Sequence, residues 1–382
     1  MHKHYLKPIL LLFFFFAGAG AIEPALSMIL YEKELPIETI GFLTLLPRAM
    51  TLLAAPLWAL LADRFHLQRH VLAITMGLSI PFLLTLNLQL PYVLLLVMIL
   101  LFSINYSPVR ALCDAAAVGI LGDNDHHYGT IRALGAIGYA IAVLLVGQFA
   151  SNTDTSIATW LFALFFGIGL IIALLIPSAP KIHTIPITEV LRMVVKDQRW
   201  LGLLSGALFA GFGTTAITNY FMLFLKEVHA NTTQISIALS SASLGAMVLF
   251  LLTPFLLKKV SAHTLIQFSF LALALRLFLY TQTSSPMMIA LIQLMHGLSF
   301  AIFWSVGVVI AHRISPVGFA NSGQAVFSGF YFGLGGMSGA YFGGLIYSQF
   351  SINIMFWVAA VVSLIGLLTY TILMKGSSKR HV

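Results

Sequence analysis

The chain has 382 residues, of which 59% are hydrophobic and only 8% are charged. A soluble domain carries about a quarter charged residues, so this composition excludes an ordinary water-soluble globular protein. The formal net charge of +8 would suit a nucleic-acid-binding protein only if it were concentrated on one basic face, whereas here it is dispersed along the chain. The single cysteine, Cys113, excludes an intramolecular disulfide and a thiolate metal cluster.

Apolar segments of roughly 20 residues, enough to cross about 30 Å of hydrocarbon as a helix, follow one another along the chain. Backbone groups in lipid must be hydrogen-bonded within their own segment, so we predict an all-α membrane protein. The first segment lacks a small-residue cleavage site before Glu23 and Pro24, which predicts a retained helix rather than a signal peptide. The twelve predicted transmembrane helices are 8–30, 38–62, 70–88, 92–119, 129–150, 157–176, 201–225, 233–257, 263–280, 287–312, 320–348 and 352–374.

The distribution of positive charge predicts the orientation. With the N-terminus inside, fourteen of the 20 Lys and Arg residues fall in cytoplasmic segments. Only Lys33 and Lys226 fall outside, and four arginines lie within spans. The positive-inside rule therefore predicts that both the N and C termini are cytoplasmic.

The longest polar interval, 177–200, divides the spans six and six. We predict an N-terminal six-helix bundle at 1–176, a cytoplasmic linker at 177–200 and a C-terminal six-helix bundle at 201–382. Two such bundles, related by pseudo-two-fold symmetry, are typical of secondary transporters that rock about a site near the middle of the membrane.

The loop between spans 2 and 3 carries a recognisable motif, Ala-Leu-Leu-Ala-Asp-Arg-Phe-His-Leu-Gln-Arg-His at 59–70. It resembles the loop signature of the major facilitator superfamily, Gly-x-x-x-Asp-Arg-x-Gly-Arg-x, with Ala59 at the first glycine. The resemblance implies a gating role for Asp63, which would pair and face a helix N-terminus, and for Arg64 and Arg69 beside it. The alternative is an ordinary cytoplasmic turn in which Asp-Arg follows from the positive-inside bias.

Ionisable side chains within spans are functional candidates, because each costs a few kcal/mol or more in lipid. Asp114 in span 4 and Arg132 in span 5 have matching predicted depths, at about 1.5 Å of rise per residue, and can pair across neighbouring helices. Arg110 precedes Asp114 by one helical turn and competes as its partner. A pair that only locks two helices is the alternative interpretation.

Two groups of these residues resemble the lactose permease branch of the superfamily and its relatives, the nucleoside:proton and phenylpropionate permeases. The first is Asp114 followed after eighteen residues by Arg132 in an aromatic-Gly-x-x-Arg-x-x-Gly setting; the second is Arg276 in span 9 and His296 in span 10. The resemblance implies solute binding by the first group and proton coupling by the second. A packing histidine is the alternative for His296.

Two departures from that branch concern proton handling. The essential carboxylate one turn after the histidine is Ser299 here, and the acidic residue of span 8 falls near Ala246. A lactose-like coupling mechanism therefore cannot be carried over to this chain.

Three groups remain as candidates for proton coupling. His296 has an intrinsic pKa close to neutrality, and Glu23 and Asp114 would serve if burial disfavoured their charged forms. Glu23 precedes Pro24, which breaks the helix. Arg48 in span 2 should lie at a similar depth, so we predict a Glu23–Arg48 pair, with a fixed structural salt bridge as the alternative.

A few uncharged polar residues in the spans complete the predicted site, although each is a packing residue in the alternative interpretation. The predicted substrate-binding residues are Asp114, Arg132, Arg276, His296, Asn105, Asn219 and Gln293. The predicted gating or structural residues are Asp63, Arg64, Arg69, Arg48 and Arg110. No ligand spacing predicts a metal site, and no phosphate-binding glycine motif predicts ATP use or another cofactor.

The sequence thus predicts a secondary active transporter of a small organic solute, working by alternating access as a proton symporter. A sugar, a nucleoside and an organic acid remain open as the solute. The alternatives are an uncoupled facilitator, a transporter-like sensor or an intramembrane enzyme, for which no signature is present. We expect a multi-pass monomer in lipid of the bacterial cytoplasmic membrane, without a nucleic-acid partner.

Overall fold

A computed structural model describes residues 6–149, 156–176 and 196–378. Every regular element in these ranges is helical, as the composition predicts. Most of the predicted linker at 177–200, including its three prolines, lies outside the described residues, as does the C-terminal end after residue 378.

The helices form two compact units. The described residues of unit 1 lie within Met1–Asp125, Leu134–Thr184 and Val317–Val326, and those of unit 2 within His126–Ala133, Ile185–Pro316 and Phe327–Val382. Unit 1 is built mainly from the first half of the chain and unit 2 mainly from the second half. Two short segments, 126–133 and 317–326, belong instead to the unit built mainly from the other half.

Unit 1 is held together by the packing of its first helix against two later ones. Helix α1 contacts α6 and α8, and α4 contacts α5 and α8. A glycine at position 20 lets α1 approach α7 so closely that a Cβ there would collide with the Tyr139 backbone. The helices that contribute to this unit are α1 (Leu6–Ile22), α2 (Leu26–Tyr31), α3 (Ile37–Arg64), α4 (Gln68–Leu84), α5 (Tyr92–Tyr106), α6 (Val109–Leu121), α7 (Tyr128–Phe149) and α8 (Ile157–Leu175).

The second half of the chain contributes three long helices to unit 2, followed by two helical regions in which α-helical turns are interrupted by π-helical turns. Two π-helical segments, Gly297–Ala301 and Gly329–Gly335, occur inside the regions predicted as spans 10 and 11. Such turns are rare in proteins and are frequent at functional sites. The helices that contribute to this unit are α9 (Gln198–Glu227), α10 (Thr232–Lys259), α11 (Ala262–Thr281), α12 (Pro286–Gln293), α13 (Ile302–Ile314), the end of α14 (Ala320–Ser328), α15 (Gly336–Gln349) and α16 (Ile352–Ser378).

Within the described part of the chain, eleven helices are long and apolar enough to cross a membrane. They correspond to all of the predicted spans except 320–348. That region is nevertheless helical from Ala320 to Gln349, through α14, the second π-helical segment and α15. Its sequence is rich in glycine, serine and amide side chains, which lowers its hydropathy and suits close contact between helices.

The first predicted span, 8–30, contains a break in its helix at Glu23 and Pro24. Helix α1 ends at Ile22 and α2 begins at Leu26, with Glu23 and Pro24 between them. Proline has no backbone N–H to donate and its ring disfavours a continuous helix, so the break follows from the sequence. The break places the Glu23 carboxylate beside α5 and α6.

Candidate functional site

A polar cluster in unit 2 surrounds Arg276 of α11, whose side chain is only 2% exposed. We call it the Arg276 cluster; it contains Arg276, Tyr280, Gln293, His296 and Ser299. The guanidinium donates through Nε to the Tyr280 hydroxyl at 3.0 Å and through Nη1 to His296 Nδ1 at 3.0 Å. Nη1 also lies 3.4 Å from Ser299 Oγ, and Nη2 donates to Gln293 Oε1.

The positively charged guanidinium of Arg276 contacts uncharged side chains. None of the four partners that Arg276 contacts among the described residues carries a negative charge. Tyr280 lies one turn along the same helix, so the i, i+4 rule brings it to Arg276. The predicted grouping of Arg276, Gln293 and His296 is therefore present in the structure, with Tyr280 and Ser299 as further members.

The contact with Arg276 defines the state of His296. An arginine has only N–H donors, so the Nδ1 atom that faces it must be an acceptor and must carry no proton. The imidazole is then neutral, with its proton on Nε2. Its ring stacks on Phe300, with centroids 4.9 Å apart and planes 5° apart, at the start of the first π-helical segment.

A second charged cluster lies in unit 1 at the break between α1 and α2. We call it the Glu23 cluster; it contains Glu23, Tyr106 and Arg110. The Tyr106 hydroxyl donates to Glu23 Oε1 at 2.8 Å, and Arg110 Nη2 donates to the same oxygen at 3.1 Å. The Arg110 guanidinium also lies over the rings of Phe15 and Phe16, at 5.5 and 5.0 Å from their centroids.

This arrangement corrects the predicted pairing of Glu23 with Arg48. The described partners of Glu23 are Tyr106 and Arg110, and Arg48 is not among them. The prediction compared depths along straight helices, whereas the break after Ile22 directs the Glu23 side chain toward α5 and α6. Arg110, predicted as a gating or structural residue, is the ion-pair partner instead.

Asp63, the predicted gating residue, is also in unit 1, at the end of α3, and is 1% exposed. Its Oδ1 accepts from Asn321 Nδ2 at 2.6 Å, and its Oδ2 accepts from Ser322 N and Oγ, each at 2.7 Å. Asn321 and Ser322 stand in the first turn of α14, where free backbone N–H groups and the helix dipole favour an anion.

Asp114 and Arg132 are both buried, at 0% and 5% exposure. Asp114 lies on α6 in unit 1. The Arg132 guanidinium lies over the Phe250 ring, 4.9 Å from its centroid, within unit 2. Their predicted pairing stays a prediction.

The remaining predicted residues are spread over both units. Asn105 is buried and donates to the Leu101 carbonyl at 2.8 Å, a packing contact along its own helix. Asn219, Arg48 and Arg69 are partly exposed, and Arg64 is exposed. None of the four belongs to the Arg276 or the Glu23 cluster.

Several members of these clusters could not be assigned from the sequence. Asn321 and Ser322 are separated from Asp63 by about 258 residues, and no local pattern links them. Tyr280 and Tyr106 carry a weak signal, since each lies one turn from an arginine on the same stretch of chain. The two π-helical segments carry no sequence signature that predicts them.

Comparison with known proteins identifies the family. A family model described as the MFS_1 like family matches residues 5–358. The maltose permease of Geobacillus stearothermophilus is 25% identical over 373 residues, which cover 97% of this chain and 95% of that protein. This similarity extends over nearly the full length of both chains.

Solved structures share the fold at low sequence identity. The nucleoside transporter NupG has a TM-score of 0.68 and 16% identity, covering 98% of this chain and 100% of that chain. The E. coli fucose:proton symporter FucP, in a variant form, has a TM-score of 0.73 and 13% identity, covering 97% and 99%. Since the family model covers most of the sequence, the chain belongs to the MFS_1 like family of major facilitator superfamily transporters and is an integral, multi-pass membrane protein rather than an enzyme.

Proposed function

We propose that this transporter is a secondary active symporter that carries a small organic solute with protons by alternating access. The proposed body has twelve spans in two six-helix bundles related by pseudo-two-fold symmetry, with both termini in the cytoplasm. The observation that carries the proposal is the Arg276 cluster. A buried arginine inside a span is a functional candidate because its charge is costly in lipid, and this one is surrounded by side chains that can exchange partners.

The proposed solute site uses Asp114, Arg132, Arg276, His296 and Gln293. Asn105 and Asn219 are weaker members. Hydrogen-bonding groups of this kind in an otherwise apolar body suit a solute with several hydroxyl or carbonyl groups. A maltose permease, a nucleoside transporter and a fucose:proton symporter among the similar proteins support a sugar or a nucleoside before an organic acid.

Alternating access requires contacts that form in one state and open in another. We propose that Asp63 makes such a contact, with Arg64 and Arg69 beside it on the cytoplasmic loop. Its three hydrogen bonds to the first turn of α14 support a gating role, because they link residues distant in sequence and would break together. The proposed location is a bacterial cytoplasmic membrane, with the protein as a monomer.

An uncoupled facilitator is the second candidate, and Ser299 favours it. In the lactose permease branch this position is the carboxylate essential for coupling, whereas the Ser299 hydroxyl does not titrate in the physiological range. Here Ser299 Oγ donates to the Met295 carbonyl at 3.0 Å and lies beside Arg276.

Reconstitution in proteoliposomes tests the proposal. Radiolabelled maltose, uridine and L-fucose would be offered with and without an imposed inward proton gradient. We expect at least one solute to exchange across the membrane without a gradient and to accumulate when the gradient is present. Exchange without accumulation would support the uncoupled facilitator instead of the symporter. The absence of both exchange and accumulation for all three solutes would contradict the proposal for these solute classes.

Matched arginine variants test the site. Arg276→Gln should reduce exchange at least tenfold, because it removes the donor that organises Gln293 and His296. Arg199→Gln is the control, since Arg199 is partly exposed and its described ion-pair partner is Asp197, two residues before it. If both variants exchanged the solute equally well, Arg276 would not be part of the solute site.

A further inference from the structure

The Glu23 cluster places a partly exposed acid inside a membrane span. Glu23 lies at least two helical turns from either end of the Leu6–Tyr31 span. Its side chain is 38% exposed, whereas the other acid well within a span, Asp114, is 0% exposed. A carboxylate that exchanges protons with water needs such access.

The two oxygens of Glu23 are used unequally. Oε1 accepts both hydrogen bonds, from Tyr106 and from Arg110. Within the described residues, Oε2 has no hydrogen-bond partner. A proton can therefore add to Oε2 while Tyr106 keeps its bond, and the addition removes the negative charge that Arg110 faces.

His296 cannot take a proton as it stands in the Arg276 cluster. The only basic nitrogen of the neutral ring is Nδ1, and it already accepts from Arg276 at 3.0 Å. Protonation would bring two donors and two positive charges together, so Arg276 would have to leave first. This contact removes His296 as the first proton acceptor in the state that the structure represents.

From these observations we propose that Glu23 takes up and releases the coupled proton, and that Arg110 is the charge partner that responds. The inference rests on the proposed symport. A proton from water forms an O–H bond with Glu23 Oε2 on one side of the membrane, and that bond breaks when the proton returns to water on the other side. No electron transfer or second reactant is involved.

The surroundings of Glu23 supply the response. When Glu23 is protonated, Arg110 no longer faces the negative charge of its described carboxylate partner, and Asp114 is the acid one helical turn further along α6. Attraction between Arg110 and Asp114 then increases relative to attraction between Arg110 and Glu23. The charged and titratable side chains of the elements that pack here include Arg48 on α3, Tyr106 on α5, Arg110, Cys113 and Asp114 on α6, and Tyr128, Arg132 and Tyr139 on α7, while α8 has none.

Infrared difference spectroscopy tests the proton site without a solute. The full chain in lipid vesicles would be compared at neutral and mildly acidic pH for the carbonyl stretch of a protonated carboxylic acid. We expect a band that Glu23→Gln removes and that Glu34→Gln, at an exposed acid outside the spans, leaves unchanged. A wild-type band that persists in full in Glu23→Gln, or the lack of any such band in the wild type, would overturn the inference.

Transport measurements then separate this inference from the proposed function. With whichever of maltose, uridine or L-fucose the wild type exchanges, Glu23→Gln should keep exchange within about twofold and lose gradient-driven accumulation completely. Retained accumulation in Glu23→Gln would overturn the inference while leaving symport intact. If no solute exchanges in the wild type, the proposed function fails for this panel, and the infrared band still decides whether Glu23 binds the proton.

If Glu23→Gln loses both exchange and accumulation, a double variant distinguishes the possible causes. Glu23→Gln combined with Arg110→Gln removes both charges of the described ion pair. If Glu23 carries the proton, the double variant should regain exchange but not accumulation. If it regains accumulation as well, or regains neither activity, Glu23 acts only as a structural partner of Arg110 and the inference is wrong.

Discussion

Two arginines inside membrane spans, Arg110 and Arg276, have different surroundings. In unit 1, Arg110 faces the carboxylate of Glu23, which is partly exposed. In unit 2, Arg276 is 2% exposed and faces four uncharged acceptors. The first arrangement changes its net charge when one proton binds, whereas the second stays positive unless a new partner arrives. The two clusters therefore suit different tasks, proton exchange in one and the orientation of hydrogen-bonding groups in the other.

The largest effect on stability should follow the loss of the Arg276 guanidinium. Arg276→Met removes every donor that Tyr280, Gln293 and His296 share, so we expect the free energy of unfolding to fall by about 2–3 kcal/mol. Unfolding in mixed micelles would measure it, with Arg199→Met as a partly exposed control expected within about 0.5 kcal/mol of the wild type. An increase in stability would mean that the desolvation of the charge outweighs its hydrogen bonds.

The Glu23 cluster should respond less strongly and should be rescued by a second change. Glu23→Ala leaves Arg110 without its described carboxylate partner, but both side chains are partly exposed, so we expect a loss of about 1–2 kcal/mol. Adding Arg110→Met should restore part of it, because the uncompensated charge is removed. A double-mutant cycle with no coupling energy would show that the 3.1 Å ion pair contributes nothing to stability.

The same comparison shows what the sequence could predict. Hydropathy alone located eleven of the twelve predicted spans, because lipid requires long apolar helices with few charges. It also drew attention to Arg276 and His296, since ionisable residues are rare in such helices. These two predictions depend on properties of single residues and segments, which a sequence states directly.

Pairings that depend on a change of direction could not be predicted in the same way. Glu23 was assigned to Arg48 by depth, and it contacts Arg110 because Pro24 ends α1 and turns the chain. The link from Asp63 to Asn321 and Ser322 joins distant segments whose spacing carries no signal. The family resemblance indicated that Asp63 would face a helix N-terminus, but not which helix.

The smallest predicted effect compares the tyrosine of each cluster. Tyr280→Phe removes the acceptor of Arg276 Nε at a site with no exposure, so that donor is left buried and the free energy of unfolding should fall by about 1 kcal/mol. Tyr106→Phe removes a donor from Glu23 Oε1, where Arg110 and water can substitute, and should cost about half as much. Thermal unfolding of both variants beside the wild type would give the order. If Tyr106→Phe were the more destabilising of the two, the Glu23 carboxylate would be less accessible to water than its exposed fraction indicates, and proton exchange at that site would lose its physical basis.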